Sequence, residues 1–131
     1  MSIQERADRA TELKRLGLCN CAQAVAVVLA DQTDLSEEQW KQLTAGFCAG
    51  MGTMEATCGA LIGAGMVVGA RTGGVGTLRS TRRLFEDFRD RCGATVCRDL
   101  KGVGTGAVLC PCEECVRNAV LAYGAAMGLD E

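Results

Sequence analysis

Residues 77–93 read TLRSTRRLFEDFRDRCG and give the clearest indication of the fold. Apolar side chains recur there at helical spacing, so that Leu78, Phe85, Phe88 and Cys92 share one side of a helix and the charged side chains take the other. The spacing therefore predicts a long amphipathic helix over this segment.

Helical spacing extends over most of the remaining chain. Glycine-rich segments separate the helical stretches, and the segment CRDLKG (97–102) is short enough that we expect only a turn there. The other predicted helices run from about Ser2 to Leu16, from Asn20 onward, across LSEEQWKQL (35–43), from near Thr57 onward, and from Pro111 to about Met127.

Start and stop signals support these helices. Ser36 and Gln39 have capping-box spacing, and Gly17 and Gly128 follow the last turns of two predicted helices. Alternating β-branched runs are absent, and the single proline stands at a helix start. The sequence therefore predicts an all-α fold, one compact domain over residues 1–131, built as a bundle of about five long helices with glycine-rich connections.

The composition narrows the class of protein. Hydrophobic residues make up 48% of the 131 residues, which excludes an intrinsically disordered chain. The net charge of −2 and scattered basic residues argue against a nucleic-acid partner. The longest apolar run, residues 60–70, is shorter than the roughly 20 residues that cross a bilayer, and the N-terminal residues lack the apolar core of a secretory signal. We expect a cytoplasmic protein without membrane insertion.

Nine cysteines and no histidine define the available chemistry. Without histidine there is no Cys–His catalytic pair and no mixed Cys/His zinc site. Structural disulfides are disfavoured in a reducing compartment, and an odd number of cysteines leaves at least one thiol unpaired. Any metal site in this chain must consist mainly of thiolates.

Four cysteines lie at predicted helix starts: Cys21, Cys58, Cys97 and Cys112. Free backbone N–H groups and the positive end of the helix dipole lower the pKa of a thiol at such a position. Four of them indicate convergence on an anionic, sulfur-rich group, and a [2Fe–2S] or [4Fe–4S] cluster fits that description. Zinc bound by four thiolates is the nearest alternative. The simplest alternative is that the four cysteines are small buried side chains that bind no ligand.

The other five cysteines are harder to assign. Cys92 and Cys48 are predicted to be packing residues, whereas Cys19, Cys110 and Cys115 crowd the four candidates as alternative ligands or redox thiols. Cys112 with Cys115, or Cys19 with Cys21, would form the reversible pair of a dithiol protein.

Two glycines after Cys58 bear on the same site. Gly59 and Gly63 lie inside a predicted helix, where each costs roughly 1 kcal/mol relative to alanine. Small residues there let another backbone approach closely, either in helix packing or around an inorganic cluster. Gly59 and Gly63 are therefore candidates for the backbone that lines a cluster pocket.

Several motifs together resemble a known family. The chain resembles the C_GCAxxG_C_C family of redox-active proteins from Asn20 to Val120, through NCAQAV (20–25), GFCAGMGTMEATCGALIGAGMVVG (46–69), CRDL (97–100) and CEECVRNAV (112–120). By this resemblance, the four motif cysteines of the family correspond to Cys21, Cys58, Cys97 and Cys112. Cys110 and Cys115 flank Cys112, so the fourth position stays open among these three.

The same module resembles the iron–sulfur part of split-Soret cytochromes, although the haem region is missing here. That likeness implies an iron–sulfur centre in a helical protein and leaves open a homodimer. We expect an electron carrier or metal-binding protein rather than a substrate-converting enzyme, working with a redox protein that the sequence does not identify. The alternatives are a cluster-free thiol–disulfide protein and a protein that binds zinc or another soft metal.

Overall fold

The structure, a computed structural model, describes residues 1–129. In this range the chain forms seven α-helices and no strand, and none of the helices is both long and apolar enough to cross a membrane. Short 3₁₀ turns at Ala30–Gln32 and Ala45–Phe47 and a π turn at Gly50–Met54 connect them. The helices are α1 (Ile3–Arg15), α2 (Cys21–Leu29), α3 (Glu37–Thr44), α4 (Gly59–Thr72), α5 (Thr77–Cys92), α6 (Cys97–Lys101) and α7 (Cys112–Met127).

The helical fold class is confirmed, but the predicted number of about five helices is too low for the described part of the chain. One reason is the segment CRDLKG, which we expected as a turn and which forms α6. Its five residues complete little more than one helical turn before Gly102, with φ of 75°, ends the helix. So short a helix leaves no apolar periodicity for a sequence pattern to detect.

Local capping signals define the starts of the first three helices. Ser2, Asn20 and Ser36 each accept a hydrogen bond from the backbone N–H three residues later, and each closes a capping box with the side chain at that position. Gly128, with φ of 73°, ends α7 as predicted. These boundaries depend on residues close in sequence, which is why the sequence alone could locate them.

Helix α2 is the central element of the core. Eight of its nine residues are buried, and it contacts α1, α3, α4 and α7. A helix that is apolar all round can be stable only when other helices cover every side, so α2 determines how its neighbours are arranged.

Helix α5 packs on the outside of this core, against α4 and α7. Its buried row is Leu84, Phe88 and Cys92. The prediction was correct for Phe88 and Cys92 but wrong for Leu78 and Phe85, which are 80% and 37% exposed. The buried residues lie four positions apart, in a single row along the helix. This row is narrower than the apolar side that the sequence predicted.

Polar contacts fix both ends of α2. At its C-terminal end, the buried Arg6 side chain of α1 donates hydrogen bonds to the Val28 carbonyl oxygen at 2.6 Å and to the two Asp31 carboxylate oxygens at 2.6 and 2.9 Å. At its N-terminal end, the amides of Asn20 and Gln23 donate to carbonyl oxygens of Ala45 and Lys41. The second pair of contacts fixes the start of α2, where Cys21 lies.

Candidate metal centre

A backbone bridge holds the starts of α4 and α6 side by side. Thr57 and Val96 form an isolated antiparallel bridge. The N–H of Cys58 donates to the Thr95 carbonyl at 2.7 Å, and the N–H of Cys97 donates to the Ala56 carbonyl at 3.0 Å. Two cysteines far apart in sequence are thereby brought to the same end of the molecule.

The four predicted cysteines line one cavity of about 280 Å³, here called the thiol cavity. Cys21, Cys97 and Cys112 are the first residues of α2, α6 and α7, and Cys58 is the N-cap of α4. Cys48, which we predicted to be a packing residue, also lines the cavity. Four helix starts therefore present thiols to a common space.

The thiol cavity depends on Gly59. A Cβ at this position would lie 2.4 Å from the Phe47 carbonyl oxygen and 2.8 Å from the Cys21 Sγ, both too close for real atoms. Gly63 has a different neighbour, because its Cβ would lie 2.7 Å from the Ala22 carbonyl oxygen. Gly59 thus lines the cavity, whereas Gly63 allows close packing of α4 on α2.

An irregular turn covers one side of the thiol cavity. Ala49, Met51 and Met54 have φ values of 52°, 61° and 63°, a left-handed conformation that is unfavourable for residues other than glycine. Ala49 and Met54 line the cavity, and the backbone of Ala49 hydrogen-bonds to Cys21. Such strain is maintained only where the surrounding structure requires it, and it is concentrated at functional sites.

The pKa values of the cavity thiols diverge. Hydrogen bonding with Cys112 and then with the Ala49 backbone lowers the pKa of Cys21, and the same pairing raises the pKa of Cys112. Burial raises the pKa of Cys97. We expected lowered pKa values at all four helix starts, but Cys97 and Cys112 do not follow this expectation because burial and thiol pairing outweigh the helix dipole.

Cys58 shows the helix-start effect together with a thiol neighbour. Hydrogen bonding with Cys115 is the main cause of its lowered pKa, and the backbone groups of Ala60 and Leu61 in the first turn of α4 contribute further. Because these N–H groups face the Cys58 sulfur, they would also stabilise it as a metal-bound thiolate.

Two lysines bring positive charge to the thiol cavity. Lys14 and Lys101 both line it. Burial acts to lower the pKa of Lys101, but the neighbouring thiols Cys115, Cys112 and Cys58 raise it, with a net upward shift. Lys101 therefore remains an ammonium group that offsets thiolate charge.

The alternative candidates Cys110 and Cys115 are not among the residues that line the thiol cavity. With Cys92 they form a second, buried group, here called the thiol trio, whose three Sγ atoms lie within 4.8 Å of one another. Cys110 and Cys115 were predicted as alternative ligands or redox thiols, but no sequence pattern joined them to Cys92, which continues the apolar side of α5 and was predicted to be a packing residue.

The surroundings of the thiol trio shift the pKa values of its cysteines. Hydrogen bonds from Cys115 and then from Asn118 lower the pKa of Cys92 to about 6, whereas burial raises the pKa of Cys110 to about 11. Cys19 is separate from both groups, and its pKa is raised by burial.

Comparison with known proteins identifies the family. The family model described as "Putative redox-active protein (C_GCAxxG_C_C)" matches residues 19–125, a range that contains all nine cysteines. No curated protein and no solved structure matches the chain. Since the match covers most of the sequence and both thiol groups, the chain belongs to the C_GCAxxG_C_C family.

Proposed function

We propose that this protein carries single electrons on an iron–sulfur cluster bound by Cys21, Cys58, Cys97 and Cys112. The observation that supports the proposal is that these thiols, from the starts of four helices, line one cavity. At about 280 Å³ the cavity is slightly smaller than the usual range for small-molecule pockets, roughly 300–1,000 Å³. It suits an inorganic group better than an organic cofactor.

The donor set fits such a group. Four thiolates are the usual ligands of [2Fe–2S] and [4Fe–4S] clusters, and bound clusters supply one-electron redox chemistry. The chain contains no histidine, so a site with imidazole ligands cannot be built from it. Gly59 leaves open the space beside the Cys21 sulfur that a side chain would fill.

The surrounding residues have defined roles in this proposal. Backbone N–H groups of Ala60 and Leu61 face the Cys58 sulfur, and hydrogen bonds to cluster sulfurs raise the reduction potential. The ammonium groups of Lys14 and Lys101 offset part of the negative charge of four thiolates. Met54 contributes an apolar surface, and limited solvent access is a further influence on the potential.

The dithiol alternative has less support. Cys112 lies against Cys21, whereas Cys115 hydrogen-bonds with Cys58 and Cys92, so the two thiols of the Cys112–Cys115 motif have different partners. Zinc bound by the same four cysteines is a closer competitor, because zinc also accepts four thiolates. Only measurement of the bound metal separates zinc from iron.

We also propose where the protein acts and with which kind of partner. Nine free thiols favour a reducing compartment, for which we propose the cytoplasm. A redox protein would supply and accept the electrons. A homodimer remains a prediction.

The test is anaerobic purification followed by iron, sulfide and zinc analysis, visible absorption and electron paramagnetic resonance. We expect iron and sulfide in stoichiometric amounts and a signal that changes on one-electron reduction. Each of Cys21→Ser, Cys58→Ser, Cys97→Ser and Cys112→Ser should lower iron content and alter the spectrum. The matched control is Cys19→Ser, which removes a buried thiol outside the cavity.

Two results would contradict the proposal. One is colourless protein with stoichiometric zinc and no iron. The other is full retention of the centre in Cys112→Ser together with its loss in Cys115→Ser, which would transfer the fourth position to the thiol trio.

A further inference from the structure

The thiol trio is a second site that the proposed function does not use. Cys92 ends α5, Cys110 precedes α7, and Cys115 lies in the first turn of α7. The Leu109 and Cys110 N–H groups both donate to the Leu100 carbonyl oxygen, at 3.0 and 3.2 Å, which fixes the loop on α6. Three separate parts of the fold therefore hold the three sulfurs together.

Polar groups directed at the sulfurs distinguish the trio from ordinary packing. The Asn118 amide donates to the Cys92 Sγ at 3.3 Å and lies 3.8 Å from the Cys110 Sγ. The Lys101 Nζ lies 3.7 Å from the Cys115 Sγ. Placing an amide and an ammonium group against neutral, buried thiols is costly, whereas the same groups stabilise thiolates.

Burial limits the chemistry of the trio. Cys115 is completely buried, and Cys92 and Cys110 are about as inaccessible. A disulfide would use two of the three sulfurs and leave one without a function. An ion bound by all three sulfurs uses the whole group and requires only their deprotonation.

The number of donors selects the ion. Zinc in structural protein sites takes four ligands, and within residues 1–129 the trio offers three, with no carboxylate or imidazole in the group. Soft sulfur ligands favour monovalent copper, which is stable with three of them. The monovalent ion offsets one of the three thiolate charges, the Lys101 ammonium lies between the trio and the thiol cavity and is shared by both, and the Asn118 amide faces the sulfurs.

We propose that Cys92, Cys110 and Cys115 bind one monovalent soft metal ion of the Cu(I) class through three thiolates, next to but separate from the thiol cavity. The three thiol protons pass to solvent on binding, and no electron is transferred. The site uses none of the four cavity cysteines as ligands, although Cys115 hydrogen-bonds with Cys58 and Lys101 borders both groups.

The test is anaerobic titration of the full chain with Cu(I) buffered by a competing chelator. The variant carries Cys21→Ser, Cys58→Ser, Cys97→Ser and Cys112→Ser, so that the trio, Cys19 and Cys48 are the remaining thiols. We expect one equivalent of Cu(I) and an X-ray absorption spectrum with three sulfur neighbours. A further Cys92→Ala replacement should weaken binding at least about 100-fold, whereas a further Cys19→Ala should leave it unchanged.

A second titration keeps the test decisive if the four serine replacements prevent folding. It uses wild-type protein already loaded in the thiol cavity and compares it with Asn118→Leu, which removes the amide and keeps all three sulfurs. We expect about 10-fold weaker Cu(I) binding in Asn118→Leu and the same three-sulfur spectrum.

The outcomes are distinct. Absence of Cu(I) binding in both titrations, preference for Zn²⁺ over Cu(I), or formation of a disulfide between trio cysteines on mild oxidation would each overturn the site. Loss of iron binding in the cavity variant with retention of Cu(I) supports both proposals. Absence of iron in the wild type, with one Cu(I) still bound by the four-serine variant, contradicts the proposed function alone.

Discussion

The two ends of α2 contrast in how their polar groups are satisfied. At the C-terminal end, Arg6 pairs with the Val28 carbonyl and with Asp31 through three hydrogen bonds within the chain. At the N-terminal end, Cys21 faces a cavity that it shares with four other thiols. The C-terminal end has its hydrogen-bond partners within the chain, whereas the N-terminal end presents thiols to an open cavity.

The contrast separates stability from function along a single helix. Burying a charged guanidinium requires good geometry, and Arg6 obtains it from the carbonyl and the carboxylate at the end of α2. The thiol end instead contains left-handed residues such as Ala49 and Met51, which cost about 1–3 kcal/mol each. Strain of this kind beside clustered thiols is consistent with the ligand site that we propose.

The largest effect is expected at the thiol end, from Gly59→Ala. The new Cβ would collide with the Phe47 carbonyl and the Cys21 Sγ, so we expect a loss of about 3 kcal/mol of unfolding free energy and a lower metal content. Gly65→Ala is the matched control, because its Cβ meets nothing within 4 Å in the same helix. That control should gain about 0.5–1 kcal/mol. Equal stability of the two variants in chemical denaturation would remove the claimed role of Gly59.

The second-largest effect on stability is expected at the C-terminal end of α2, from Arg6→Met. This change leaves the Val28 carbonyl without its donor, and we expect a loss of about 2 kcal/mol in the free energy of unfolding. Arg9→Met, which breaks an exposed pair with Glu37, should cost at most about 1 kcal/mol. Metal content should stay at the wild-type level in both variants. Loss of metal from Arg6→Met alone would show that the two ends are not separate.

The pH dependence of stability tests the contact between Arg6 and Asp31 at the C-terminal end of α2. The Arg6 guanidinium lowers the pKa of the Asp31 carboxyl below its ordinary value of 3.8, chiefly by hydrogen bonding. A lowered pKa in the folded state means that the contribution is complete above the ordinary value and is lost as the pH falls through the lowered one. The stability difference between wild type and Arg6→Met should be constant from about pH 5 to 7 and shrink below about pH 4. A difference that stays constant down to about pH 2 would contradict the role of the carboxylate.

The smallest effect concerns a hydroxyl that lacks a partner. Within residues 1–129, nothing lies within hydrogen-bonding distance of the buried Tyr123 hydroxyl. Because an unpaired buried hydroxyl is costly, Tyr123→Phe should leave stability unchanged or raise it by up to about 1 kcal/mol. Thermal unfolding measures this, and a clear loss of stability would mean that the hydroxyl has an unrecognised partner such as ordered water.

The features that could be predicted from the sequence are those that depend on residues close together along the chain. Capping pairs such as Ser36 with Gln39 marked three helix starts, and the four cysteines predicted at helix starts line the thiol cavity together with Cys48. The family resemblance is confirmed by the match over residues 19–125. The identity of the bound group is not fixed by spacing, because zinc and iron–sulfur clusters both accept four thiolates.

What the sequence did not predict depends on distant contacts. The thiol trio joins Cys92 at the end of one helix to two residues near the start of another, and no spacing rule links them. The left-handed turn contains Gly50 and Gly52, but Ala49 and Met51 adopt the same conformation without the freedom of glycine, and no sequence rule predicts that. The single row of buried residues on α5 follows from the position of α7, which the pattern of one helix cannot reveal.

The bridge between Thr57 and Val96 has a consequence for how far related sequences can diverge. Only main-chain atoms take part in its hydrogen bonds, so the separation of α4 and α6 is insensitive to which side chains occupy positions 57 and 96. Proline at position 58 or 97 would break these hydrogen bonds, since each residue donates its N–H there. Related sequences can therefore differ at positions 57 and 96 while the main-chain link between the two ligand-bearing helices stays in place.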